Sequence, residues 1–129
     1  MKDVWSFGEG GNFYLDATQE KYSKHFNMYS YITKELPEIV SQHFPVDHKR
    51  QSISGYSMGG MGAFIAYLKN PNQYLSLSVF APLCCGAKSS YATNAYKEYL
   101  GSIEAGKDYD PTELIRNFKD PKKRPILYD

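Results

Sequence analysis

The segment Gly55-Tyr56-Ser57-Met58-Gly59-Gly60 constrains the fold more than any other part of the chain. It joins a short apolar strand pattern, Gln51-Ser52-Ile53-Ser54, to a helical stretch from Gly59 to Lys69 that is rich in small residues. A serine lifted on a strand-to-helix turn this sharp takes a strained backbone conformation, and side chains two positions to either side would strike the neighbouring strand and helix. Glycines at 55 and 59 remove those collisions, and Gly60, Gly62, Ala63 and Ala66 let the helix approach a strand closely. The pattern is G-x-S-x-G in the setting that a nucleophile elbow requires. It makes Ser57 a candidate nucleophile. The backbone N–H of Met58, at the positive end of the helix, becomes a candidate oxyanion donor. Competing glycine motifs are absent: no G-K-[ST] follows to hold a phosphate, and the glycines do not fall as G-x-G-x-x-G.

The flanking sequence sets the fold class. Asn70-Pro71 ends the helix, and Leu77-Ser78-Val79-Phe80-Ala81 reads as a second strand. Strand, helix, strand at this spacing needs a crossover, which makes a parallel sheet covered by helices. Upstream, Met28, Ile32, Leu36, Ile39 and Val40 recur at helical spacing between Met28 and His43, with Asn27 placed to cap the start. Pro37 lies inside that pattern and is expected to kink the helix or restart it. Downstream, a helix from Tyr91 to Leu100 is expected, capped by Ser89 or Ser90 and stopped at Gly101. Asp110-Pro111-Thr112-Glu113 opens another that reaches about Phe118, and Pro125 to Tyr128 reads as a third strand. The expectation is one α/β domain over residues 1–129.

Composition narrows the function classes. Fifteen basic and 14 acidic residues leave a net charge of +1, so charge points to neither nucleic acid nor an anionic membrane. The Lys and Arg run from Lys119 to Arg124 reads as a solvated turn. The longest apolar stretches fall far short of the roughly 20 residues of a membrane span. The start lacks an apolar signal core, which favours a cytosolic location. Cys84 and Cys85 are the only cysteines, and adjacent residues offer neither a disulfide framework nor a C-x-x-C spacing. They read as two small buried hydrophobes.

With these flanks in view, the sequence resembles the S-formylglutathione hydrolase, or esterase D, family of the α/β-hydrolase fold. The stretches that carry the resemblance are WSFGEGGNFYLDAT (5–18), MYSYITKELPEIVSQHFPVD (28–47), SISGYSMGGMGA (52–63), LKNPNQYLSLSVFAPLC (68–84) and YKEYLG (96–101). Two departures stand out. Tyr56 occupies a position where the family usually has His, and Tyr91 stands where an aromatic, often Trp, lies near the substrate pocket.

The resemblance implies a serine thioesterase that acts on a small thiol ester or ester, with no cofactor or metal, and it allows a homodimer of a longer chain. It also implies that this chain is the central part of the family fold. The family's catalytic Asp lies a few residues beyond Asp129 and its His further on, so both are expected to be absent, as are the upstream strands. The order Ser, acid, His agrees: His25, His43 and His48 all precede Ser57, and each suits a loop, a helix end or a turn. Of the acids that follow, Asp108 suits a polar loop and Asp110 a helix cap. The chain by itself is therefore expected to turn over little substrate. Two other readings stay open, a non-catalytic binding or scaffold module on the same core and a feruloyl-type esterase or acyltransferase.

Overall fold

The computed structural model describes residues 8, 13–120 and 122–129. Three parallel strands, β1 (Gln51–Tyr56), β2 (Tyr74–Phe80) and β3 (Ile126–Tyr128), form a sheet in the order β1-β2-β3. Helix α4 (Met58–Lys69) is the crossover between β1 and β2. It begins one residue earlier than the sequence suggested, and β2 begins three earlier and ends at Phe80, leaving Ala81, expected in the strand, outside it at a φ of 43°. The β1–β2 register pairs Gly55 with Val79 and Tyr56 with Phe80, with one irregularity between Gln51 and Ile53.

Helix α4 is apolar nearly all round because it is packed on two sides. Ala63, Ala66 and Tyr67 meet Leu77 and Val79 of β2 in one cluster. Met61 and Ile65 join Phe13, Leu15 and the buried residues Ala92, Ala95, Tyr96 and Tyr99 of α5 (Ser90–Leu100) in the other. Small residues on α5 let large tyrosines fill the space between the helices, and their hydroxyls find partners: Tyr96 donates to the Tyr109 carbonyl at 2.8 Å, and Tyr67 to Asp120 at 3.1 Å. Burial raises the Tyr96 hydroxyl well above the ordinary tyrosine value. It pushes that of Tyr74, which has no partner among the described residues, up to about 12.

Two short helices precede the sheet, α1 (Glu20–Ser23) and α2 (Met28–Ser30), and α2 runs through a π turn at Tyr31–Glu35 into α3 (Leu36–His43). This is the answer to Pro37. Proline has no N–H and its ring crowds the carbonyl four residues back, that of Thr33. The wider π turn, in which the Leu36 N–H reaches the Tyr31 carbonyl, relieves the crowding without breaking the rod. The released Thr33 carbonyl accepts the Gln73 side-chain amide at 2.9 Å, which ties this helix to the entry of β2. The extra residue also rotates everything after it by about a quarter turn. Leu36 and Ile39, expected on the buried stripe, are therefore exposed.

Three other local expectations need correction. Asn27 does not cap α2: its amide donates back to the Ser23 carbonyl, and Asp16 instead accepts from the Ser30 N–H at 2.9 Å and hydroxyl at 2.6 Å. Ser89 holds the cap position of α5 without a side-chain bond. Cys84 and Cys85 are half-buried rather than buried, and the Cys84 sulfur lies 3.8 Å from the Tyr128 hydroxyl. Elsewhere the local signals hold. Gly101 ends α5 in the left-handed region at φ 84°, and Asp110 caps α6 (Pro111–Asn117) through the Thr112 N–H at 2.9 Å. Asp110 is fully buried because its second oxygen accepts the Ala87 N–H at 2.9 Å.

The basic run before β3 divides. Lys119, Lys122 and Lys123 are exposed as a solvated turn predicts, but Arg124 is not. Its side chain is 7% exposed, pairs with Asp120 at 3.0 Å and donates to the Tyr74 carbonyl at 2.8 Å. Arg124 thus fixes the turn before β3 to the start of β2. Hydrogen bonding from the Arg124 guanidinium holds the Asp120 carboxyl well below the ordinary carboxylate range. A depressed folded-state value means that this stabilisation is complete above the unfolded value near pH 4 and is lost as the pH falls below it. Asp120→Asn is expected to lower the urea midpoint at pH 7 and to flatten the acid limb below about pH 4; an unchanged acid limb would contradict the assignment.

Candidate active site

The chain leaves β1 at Tyr56 and enters α4 at Met58, so the whole reversal falls on Ser57. Its φ of 53° and ψ of −117° place a non-glycine residue in a region that costs about 1–3 kcal/mol unless its surroundings over-determine it. They do. The Ser57 N–H donates to the Phe80 carbonyl at 2.9 Å. The Ser57 carbonyl accepts from the Met61 N–H at 3.0 Å and the Leu83 N–H at 3.3 Å. Gly55 is required by contact, since a Cβ there would overlap the backbone carbonyl of Gly59. Gly60 is also tight, with a Cβ 3.0 Å from that of Pro82 and 3.2 Å from the Gly55 carbonyl.

Gly59 is the exception to the expected collision. A Cβ there meets only the Tyr14 hydroxyl among the described residues, at an ordinary 3.7 Å. The close approach that sequence reasoning gave to Gly59 belongs instead to Gly62, against which the Tyr14 ring packs directly.

Met58 is the first residue of α4, so its N–H is one of the donors that the helix itself leaves free. Its side chain packs on the cluster that contains Phe13 and Leu15. Tyr56 ends β1 with 73% of its surface exposed, opposite Phe80. Tyr91 lies in the first turn of α5, exposed, on a helix that packs against the turn Gly86–Lys88. Positions 55–60 therefore form one continuous feature, and Tyr91 belongs to another element.

The three strands present their carboxyl ends together, as open parallel sheets do at their binding crevices. Ser57, Ala81 and Asp129 stand at that rim, and the Ala81 N–H donates to the Asp129 carbonyl at 2.7 Å. Among the described residues no imidazole or carboxylate bonds the Ser57 hydroxyl. His25 sits between α1 and α2, His43 ends α3, and His48 lies in the turn before β1, all exposed. Asp110 is occupied as a cap and Asp108 is exposed. The residues that sequence reasoning missed are Ala81, with φ 43°, and Leu83. Pro82 between them signals a break in the chain, but not the direction of the bend, which the contacts to Ser57 and Asp129 set.

A serine held in a left-handed backbone between a parallel strand and the first turn of a small-residue crossover helix defines an α/β-hydrolase fold. Comparison with known proteins narrows the class. The esterase family model described as "Putative esterase" matches residues 1–127, and the chain belongs to that family. It is 45% identical to the S-formylglutathione hydrolase of Bos taurus over 122 residues, which cover 94% of this chain and 43% of that protein. With the Mus musculus S-formylglutathione hydrolase it is 46% identical over 117 residues, 90% of this chain and 42% of the relative. A solved S-formylglutathione hydrolase from Agrobacterium tumefaciens superposes with a TM-score of 0.92 at 40% identity, covering all of this chain and 46% of the other. The chain thus spans less than half the length of these relatives.

The two elbow glycines separate experimentally. Gly55→Ala is expected to cost about 1–3 kcal/mol or to prevent folding, because the clash is with backbone that cannot yield. Gly59→Ala, in a helix with room for a methyl, is expected to stay within about 1 kcal/mol of wild type in urea unfolding. Equal losses would contradict the geometry.

Proposed function

We propose that the chain carries the nucleophile half of a serine thioesterase acting on S-formylglutathione. The observation that supports this best is the left-handed Ser57 at the carboxyl end of β1, held through both of its backbone groups. In this reading the Ser57 hydroxyl oxygen attacks the formyl carbon, and the Met58 N–H donates to the oxygen that gains negative charge. Collapse of the tetrahedral intermediate breaks the carbon–sulfur bond and releases glutathione, its sulfur taking up a proton. Water then hydrolyses the formyl-serine to formate and restores Ser57. The identity to the bovine and mouse hydrolases supports the choice of a thiol ester. Tyr56, exposed beside Ser57, is proposed to border the acyl or thiol side of the pocket, and Tyr91 to line it further out.

The proton of Ser57 needs a base, and among the described residues none of the three histidines, all exposed, bonds it. The reading therefore assigns the acid and the imidazole to a part of the fold outside these 129 residues. Loss of a triad costs about 10⁴–10⁶ in kcat, so the chain by itself should hydrolyse S-formylglutathione at least about 10⁴-fold more slowly than the Agrobacterium relative. Turnover within tenfold of that enzyme would show that residues present here supply the base. Whatever hydrolysis the protein supports should vanish in Ser57→Ala together with fluorophosphonate labelling; hydrolysis that survives the substitution sinks the assignment of Ser57.

A further inference from the structure

We propose that Ala81 is a positioning residue for Ser57, an inference that rests on Ser57 being the nucleophile. Ala81 directly follows β2, and its φ of 43° is uncommon for a residue with a Cβ. The bend it makes turns the next residues back over the elbow. Phe80, just before the bend, accepts the Ser57 N–H at 2.9 Å, and Leu83, just after it, donates to the Ser57 carbonyl at 3.3 Å. Four consecutive residues thereby grip both backbone groups of the serine. With 81 in an extended conformation the chain would run past the sheet, and Leu83 could not reach back.

The grip is anchored at three points beyond Ser57. The Ala81 N–H donates to the Asp129 carbonyl at 2.7 Å, which links the bend to the end of β3. Pro82 lies against Gly60 in the first turn of α4. The Cys84 carbonyl accepts both the Thr112 N–H at 3.2 Å and the Thr112 hydroxyl at 2.7 Å, which fixes the far end of the segment to α6. Ala81 itself is exposed, so a larger side chain there meets solvent. Its backbone angle is the property that matters.

Amide hydrogen exchange at Ser57 and Leu83 reads the grip without requiring turnover. Ala81→Val, whose branched side chain disfavours positive φ, is expected to speed exchange at both amides at least tenfold while the buried amides of α4 stay unchanged. Ala81→Gly, which accepts positive φ, should keep both amides within threefold of wild type. Unchanged exchange in Ala81→Val overturns the proposal. If that variant does not fold, Ala81→Gly still decides, since exchange more than tenfold faster there also overturns it. Where fluorophosphonate labels Ser57, the labelling rate constant should fall about tenfold in Ala81→Val and recover in Ala81→Gly, with the reagent's half-saturating concentration unchanged. Absence of labelling in the wild-type protein is the result expected where the base lies outside these residues; hydrolysis that survives Ser57→Ala is what counts against Ser57 as nucleophile, and it leaves the exchange result standing.

Discussion

The hydrogen bond from the Ser57 N–H to the Phe80 carbonyl extends the β1–β2 ladder one step past the end of the strand, while the chain is already turning into α4. Sheet and helix are thereby bonded through the same residue, since the Ser57 carbonyl also accepts the first intrahelical N–H from Met61. Shared occupancy of one residue by two regular structures leaves no room for a loop. It explains why Gly55 must lack a side chain and why α4 lies flat enough on the sheet for Ala63 and Ala66 to be fully packed. The placement of Met58 follows from the same step, because a helix that starts immediately after the strand points its first free N–H groups at the sheet rim.

Around that step, tertiary contacts hold what local preference would not. The segment 80–83 closes over the elbow, Arg124 draws the approach to β3 down onto the start of β2, and Gln73 takes the carbonyl that Pro37 releases. These contacts join residues between 23 and 50 positions apart, and each uses a backbone carbonyl as its fixed end. Arg124 and Gln73 each join two elements by a side chain that reaches main chain, and segment 80–83 does so with main chain at both ends.

The parts of the fold legible in the sequence were those whose cause is local. The elbow, the small-residue crossover, the Asp110 cap and the Gly101 stop each need only a few neighbouring residues to take effect. What escaped depended on distant partners. Pro37 announced an irregularity but not that a π turn would absorb it and shift the phase of α3, exposing Leu36 and Ile39. Arg124 looked like its solvated neighbours because nothing local reveals Asp120 and the Tyr74 carbonyl on either side of it. Gly59 drew the emphasis owed to Gly62, since the motif names positions and Tyr14 decides contacts. At Ala81 the following Pro82 signals an end to the strand but not the positive φ, which alanine seldom takes and which only the contacts around the elbow select.

Position 57 sets two demands on one residue. The backbone there favours glycine, which takes φ 53° without a Cβ penalty, and serine is the less stable occupant by that measure alone. A chain selected only to fold would lose the hydroxyl readily and gain stability by losing it. Its presence marks a place where the fold carries a permanent thermodynamic handicap, at the rim where the three strands end together.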